Sequence, residues 1–144
     1  MQDPDPQTHD TALDGMFWSE GEWRAYLPES VGTFLGQPLV VAVTTASDDT
    51  AAPSPPTKSE LQLCLRILSH LRDILRSAET SLLSYRPEFS TESVSEAVEI
   101  WLHREVRADR GEGHWSLLVP IESAVGYGIY IDFDDLTPVE VWGG

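Results

Sequence analysis

Residues 57–85 read TKSELQLCLRILSHLRDILRSAETSLLSY, and this stretch decides the fold. Thr57 followed by Glu60 is a capping box: the hydroxyl accepts an amide proton three residues on, and the carboxylate reaches back to the cap amide. From there Leu61, Cys64, Leu68, Leu71, Leu75, Ala78 and Leu82 recur at spacings of three and four, while Gln62, Arg66, Ser69, Asp73, Arg76, Thr80 and Ser84 fall opposite. Leu63, Leu65, Ile67, Ile74 and Leu83 widen the apolar stripe beyond a coiled-coil seam, so the helix is expected to lie on a sheet. Arg86-Pro87 stops it, because a residue before proline resists the α region. The expectation is one long helix over 58–85, about 40 Å at 1.5 Å per residue.

Working outward, residues 46–57 form a Pro-, Ser- and Ala-rich linker. Before it, Pro38–Thr45 is continuous and β-branched enough for a strand buried on both faces. Phe17-Trp18 and Trp23–Leu27 flank Ser19–Glu22, which reads as a hairpin. Residues 1–14 are polar and proline-bearing, a mobile tail. On the other side, Val94 to Val106 fits either period. The reading adopted is a short helix through Val98, a strand from Glu99 to Arg107, a turn over 108–113 and a strand from His114 to Ile121. Tyr127–Phe133 alternates strictly at Ile129, Ile131 and Phe133, and Val139–Trp142 follows the Asp134–Thr137 turn, giving a terminal hairpin. Residues 15–144 thus make a single α+β domain: a predominantly antiparallel sheet of about six strands with one long helix packed on one face.

Composition narrows the function. A chain of 144 residues is the size of one domain. Its net charge of −15, with only nine Lys and Arg, argues against nucleic acid, because phosphate contacts need clustered bases. The charge is uneven. Residues 58–86 carry +2, leaving −17 on the rest, and residues 111–144 hold Glu112, Glu122, Asp132, Asp134, Asp135 and Glu140 without one Lys or Arg. No apolar run approaches the roughly 20 residues of a membrane span. The acidic, proline-broken start (Asp3, Pro4, Asp5, Pro6) has no signal-peptide pattern, and a lone Cys64 needs no oxidising compartment, so a cytoplasmic protein is expected.

No nucleophile elbow, phosphate-binding glycine loop, His-Glu-x-x-His or Cys-x-x-Cys occurs, so catalytic and cofactor-binding residues are not assigned and no enzyme is expected. Cys64 reads as a core cysteine on the apolar stripe. Asp132 and Asp134 would share a strand face, the arrangement paired metal ligands or a carboxylate hydrolase need. Asp134-Asp135 is equally a plain turn whose side chains bond their own backbone, and the turn reading is preferred, with no metal. In the expected hairpin His103 pairs near Leu118 and His114 near Arg107, so the two histidines do not meet. Of the five tryptophans, Trp18 and Trp142 are the expected exposed members and could form a binding surface, since tryptophan is enriched at interface hot spots.

The order of motifs resembles a known family. Gly21-Glu22-Trp23, Leu35-Gly-Gln-Pro-Leu-Val-Val41, an acidic linker, a long helix closing near a tyrosine, and Gly126–Phe133 followed by Val139-Glu-Val-Trp-Gly143 are similar to a bacterial family of small acidic α+β domains of unknown function, associated with polymorphic toxin systems. The resemblance covers roughly residues 15–144. Glu122–Gly128 lacks the acidic segment ending in His-Gly that such relatives carry, so no functional residue is transferred. The resemblance implies an immunity protein. The expectation is therefore a non-catalytic acidic protein that occludes a basic toxin or effector through Asp132, Asp134, Asp135, Glu140, Trp142 and Trp18. The alternative is an adaptor or structural subunit that binds a folded chain through an aromatic sheet face.

Overall fold

A computed structural model of the chain describes residues 17–19, 22–28, 32–34, 36–44, 56–87, 97–121 and 128–143. The expected mobile tail, most of the linker and the helix expected through Val98 lie outside them, except that Ala97 is not helical and Val98 is already strand. Among the described residues there are eight strands: β1 (Phe17–Ser19), β2 (Glu22–Tyr26), β3 (Thr33–Phe34), β4 (Gln37–Thr44), β5 (Val98–His103), β6 (His114–Val119), β7 (Ile129–Asp134) and β8 (Thr137–Gly143). They run in the order β1-β2-β4-β5-β6-β7-β8, with the two-residue β3 paired to β4 off this path. Every pairing is antiparallel except β4–β5. A parallel neighbour cannot be reached by a tight turn, and the crossover between Thr44 and Val98 carries the helices.

Those helices correct one expectation. In place of a single rod there are two, α1 (Lys58–Ser69) and α2 (Leu71–Tyr85), broken at His70. The cause is local competition for carbonyls. Ser69 Oγ donates to the Leu65 carbonyl (2.9 Å), and His70 Nδ1 lies 3.1 Å from the Arg66 carbonyl. With that acceptor engaged, the His70 amide turns to Ile67, three residues back rather than four. The capping box at Thr57 and Glu60 forms as the sequence specifies.

A third short helix, α3 (Arg104–Arg110), occupies what was expected to be the end of a strand and its turn. β5 therefore stops at His103, and the register pairs Glu99 with Leu118, not His103 with Leu118.

One apolar cluster joins sheet and helices. Leu39, Val41 and Val43 of β4, Val98, Ile100 and Leu102 of β5, Trp115, Leu117 and Val119 of β6, and Ile129, Ile131 and Phe133 of β7 meet the buried side of α1 and α2. The intervening residues of each strand point to the other side, away from α1 and α2; α3 reaches that side through Arg110 at Asp132, and Val40, Ala42, Ser116, Asp132 and Tyr130 are buried there. β4 is buried on both faces, as its continuous apolar run requires. Gly128 opens β7 at φ +135, and a Cβ there would collide with the Val119 carbonyl, so only glycine lets β7 start against β6. β8 is the outer strand, and Pro138 with a register shift at Asp132/Phe133 blunts that edge against pairing. None of the described helices is long and apolar enough to cross a membrane.

Candidate functional site

The helix-free side of the sheet is built from the alternate residues of each strand. One row runs Ala42, Trp101, Ser116, Asp132, Glu140, and the next runs Val40, Glu99, Leu118, Tyr130, Trp142. Ser116 of β6, cross-strand from Trp101, is small enough for the indole to reach across that strand, and its ring lies 5.6 Å from Tyr130. Tyr130 in turn stacks on Trp142, with centroids 4.2 Å apart and planes 5° off parallel. His103 meets Trp101 edge-on at 5.2 Å, and Trp101 Nε1 donates to Thr44 Oγ1 (2.8 Å). The result is an aromatic row across β5 to β8 that ends in the partly exposed Trp142 (37%).

Beneath that end sits a carboxylate only 2% exposed. Burying an ion is costly unless its oxygens are engaged, and Asp132 meets the condition. Ser116 Oγ donates to Oδ1 (2.6 Å), Trp142 Nε1 donates to Oδ2 (2.9 Å), and Arg110 of α3 stands 3.6 Å from Oδ2. Asp132 therefore fixes the Trp142 ring in place. His114 is buried nearby, opposite Asp134 in register. Burial lowers its basicity, against the pull of the Asp132 and Asp134 charges.

The other expected site residues separate. Asp135 lies on the helix side of the story: Arg66 of α1 grips it with Nε to Oδ1 (2.8 Å) and Nη2 to Oδ2 (3.1 Å). Those hydrogen bonds hold its carboxyl below the usual range. Its φ is +58, its amide donates to Gly113, and its carbonyl accepts from Trp115 Nε1 (2.7 Å). Asp135 is thus a turn residue in the left-handed region that Asp tolerates. The basic face of the helix thus reaches the acidic hairpin through Arg66. Asp134 and Glu140 are exposed and form no hydrogen bond or ion pair among the described residues. β1 pairs Trp18 with Trp23, but the Trp18 side chain lies outside the described residues.

Asp132 and Asp134 do share a face, yet the Asp132 oxygens are already committed. Among the described residues no three His, Cys, Asp or Glu side chains are grouped to hold a metal ion. The β5–β6 pairing ends at Trp101 and Ser116, so His103 and His114 are not paired; His103 stays beside Thr44 of β4, and its Nδ1 accepts the Val106 amide at the start of α3.

Cys64 is fully buried, and burial, with the Glu60 charge adding and Arg107 opposing, pushes its thiol up to about 12. A thiol of that kind is inert. A disulfide reagent is expected to leave the native protein unlabelled over the time in which the urea-unfolded chain reacts fully. Rapid labelling of the native protein would place the thiol at the surface.

Sequence reasoning missed Tyr130 and Arg110. A signal for Arg110 was present: Arg104, Arg107 and Arg110 recur every third residue before Gly111, the mark of a short helix with a basic side. Tyr130 could have been found from its place between Ile129 and Ile131, on the face opposite the core, cross-strand from Trp142.

No protein-family model matches the chain, and no curated protein or solved structure matches it.

Proposed function

We propose that the chain is a non-catalytic acidic binding protein that docks its helix-free sheet face on a basic protein partner. The observation that carries this reading is the Trp101–Tyr130–Trp142 row, kept rigid by a buried carboxylate and left open at Trp142. A tryptophan needed only for packing sits as Trp115 does, 1% exposed. Pre-organised aromatic rings lose little entropy on binding and are favoured interface anchors. The charge of −15 and the exposed Glu140 and Asp134 beside the row complement a basic surface and steer it in. In the form suggested by the family resemblance, the protein is a cytoplasmic immunity protein and the partner a basic toxin or effector, inactivated by occlusion.

One observation favours the adaptor reading. Asp132 and Asp135 are engaged within the fold, which leaves fewer free acids at this edge than the sequence promised. Association kinetics with the partner separate the two. Occlusion of a basic effector predicts an on-rate that falls steeply from about 0.01 M to about 0.15 M salt, as the screening length shrinks from about 30 to about 8 Å. Glu140→Gln with Asp134→Asn slows association, and Trp142→Ala speeds dissociation. An adaptor shows a salt-tolerant on-rate and responds to Trp142→Ala alone. Binding indifferent to all three substitutions overturns the docking face itself.

A further inference from the structure

On the open side of β8, Glu140 and Trp142 follow each other at alternate positions, about 7 Å apart along the strand. Tyr130 covers one face of the Trp142 indole. Among the described residues no ring or cation lies against the other face, and the Glu140 carboxylate has no charged or hydrogen-bonding partner. The π-face of indole attracts cations, and a carboxylate beside it adds directed acceptors. An ammonium can use either group, but a planar guanidinium can lie flat on the ring while its edge N–H groups donate to the carboxylate.

The same sheet face already holds one guanidinium in this way. Arg24 of β2 lies 5.5 Å over the Tyr26 ring and 3.6 Å from the Glu99 carboxylate. An aromatic ring and a glutamate supplied by neighbouring positions of the sheet thus both contact one arginine in this fold. At the far end of the face, Trp142 and Glu140 offer the same pair of groups without the arginine.

We infer that the Trp142–Glu140 edge of the sheet receives an arginine side chain from a basic protein partner. The inference rests on the proposed docking face and names the group that anchors it. The net charge of −15 selects a cationic occupant over a second copy of this chain, which would bring like charge to the same edge.

Acetylated hexaarginine amide and hexalysine amide are suitable probes, followed by ¹H–¹⁵N NMR of the indole N–H signals. The Trp142 signal should move most among the tryptophans, and the arginine peptide should bind roughly two- to fivefold tighter than the lysine peptide. Trp142→Leu should abolish that preference, and Glu140→Gln should weaken both peptides. Urea melts establish whether Trp142→Leu stays folded. Glu140 is a surface residue, so its variant decides the matter if the tryptophan variant does not. Equal affinities for the two peptides, or a Trp142 signal that stays still, overturn the inference. That failure is distinct from failure of the docking face, which is read from partner binding left intact by Leu118→Arg in the middle of the face.

Discussion

Trp115→Ala is expected to destabilise the protein by about 3–5 kcal/mol, the range for removing a large buried aromatic. The ring is the largest of the fully buried side chains and stacks on Phe133 with centroids 4.3 Å apart. Its Nε1–H is the donor that fixes the Asp135 carbonyl at the β7–β8 turn (2.7 Å). Truncation therefore opens a cavity between sheet and helices and removes one of the ties of that turn, leaving the Asp135 amide on the Gly113 carbonyl. Urea denaturation at constant pH measures the cost. A loss below about 1 kcal/mol, the level of an ordinary surface change, would mean that Trp115 is not in the core.

Glu60→Gln is the second large effect, and its cause is electrostatic. Glu60 is only 3% exposed, and its carboxylate takes Arg104 Nε (2.7 Å) and Nη2 (2.8 Å), Arg107 Nη1 (3.2 Å) and the Thr57 amide (2.8 Å). It is the bolt between the start of α1 and the whole of α3. Removing its charge takes from Arg107, itself only 7% exposed, its buried carboxylate and leaves it the Glu112 carbonyl (2.7 Å) and the exposed Glu112 carboxylate (3.5 Å); breaking a buried pair from one side costs about 3–5 kcal/mol. Burial alone would raise the Glu60 pKa, but the hydrogen bonds from Arg104 and Thr57 and the two guanidinium charges outweigh it, so the folded value lies below the ordinary 4.5. A lowered carboxylate pKa contributes stability that is complete above pH 4.5 and is lost as the pH falls through the folded value. Wild type should therefore lose stability on acidification through that window, and Glu60→Gln should lose less. Parallel acid curves for the two proteins would show that the network does not form.

The same network explains what the sequence made legible and what it hid. The capping box and the β7–β8 hairpin rest on contacts within a few residues, and the burial of β4 on both faces is announced by its continuous apolar run; all three appear where the pattern puts them. The break at His70 was hidden because the apolar stripe runs through it unbroken, and two side-chain bonds to carbonyls decide it. α3 was hidden because its partner, Glu60, lies more than forty residues earlier in the chain. The parallel β4–β5 pair is likewise a product of tertiary placement. For the site, Trp142 and Asp132 were found as residue types. Their relation, an indole held by a buried carboxylate across a β-bulge, depends on a register that no local pattern encodes. Asp135 shows the reverse: acidity marked it as a surface ligand, whereas Arg66 and the turn geometry give it a structural task.

The central claim is that the helix-free sheet face, and not the helix surface, docks the partner. Two single arginine insertions test it most directly, one on each side. Leu118 is half-buried in the middle of the helix-free face, beside the buried Tyr130, and Leu83 is exposed on α2 (41%). Affinity for the basic partner, measured by calorimetry on folded variants, should fall by roughly thirtyfold or more for Leu118→Arg, the effect of disrupting a hot spot. Leu83→Arg should stay within about twofold of wild type, as an ordinary surface substitution does. The opposite pattern, with Leu83→Arg abolishing binding and Leu118→Arg leaving it intact, would contradict the account and move the interface to the helices.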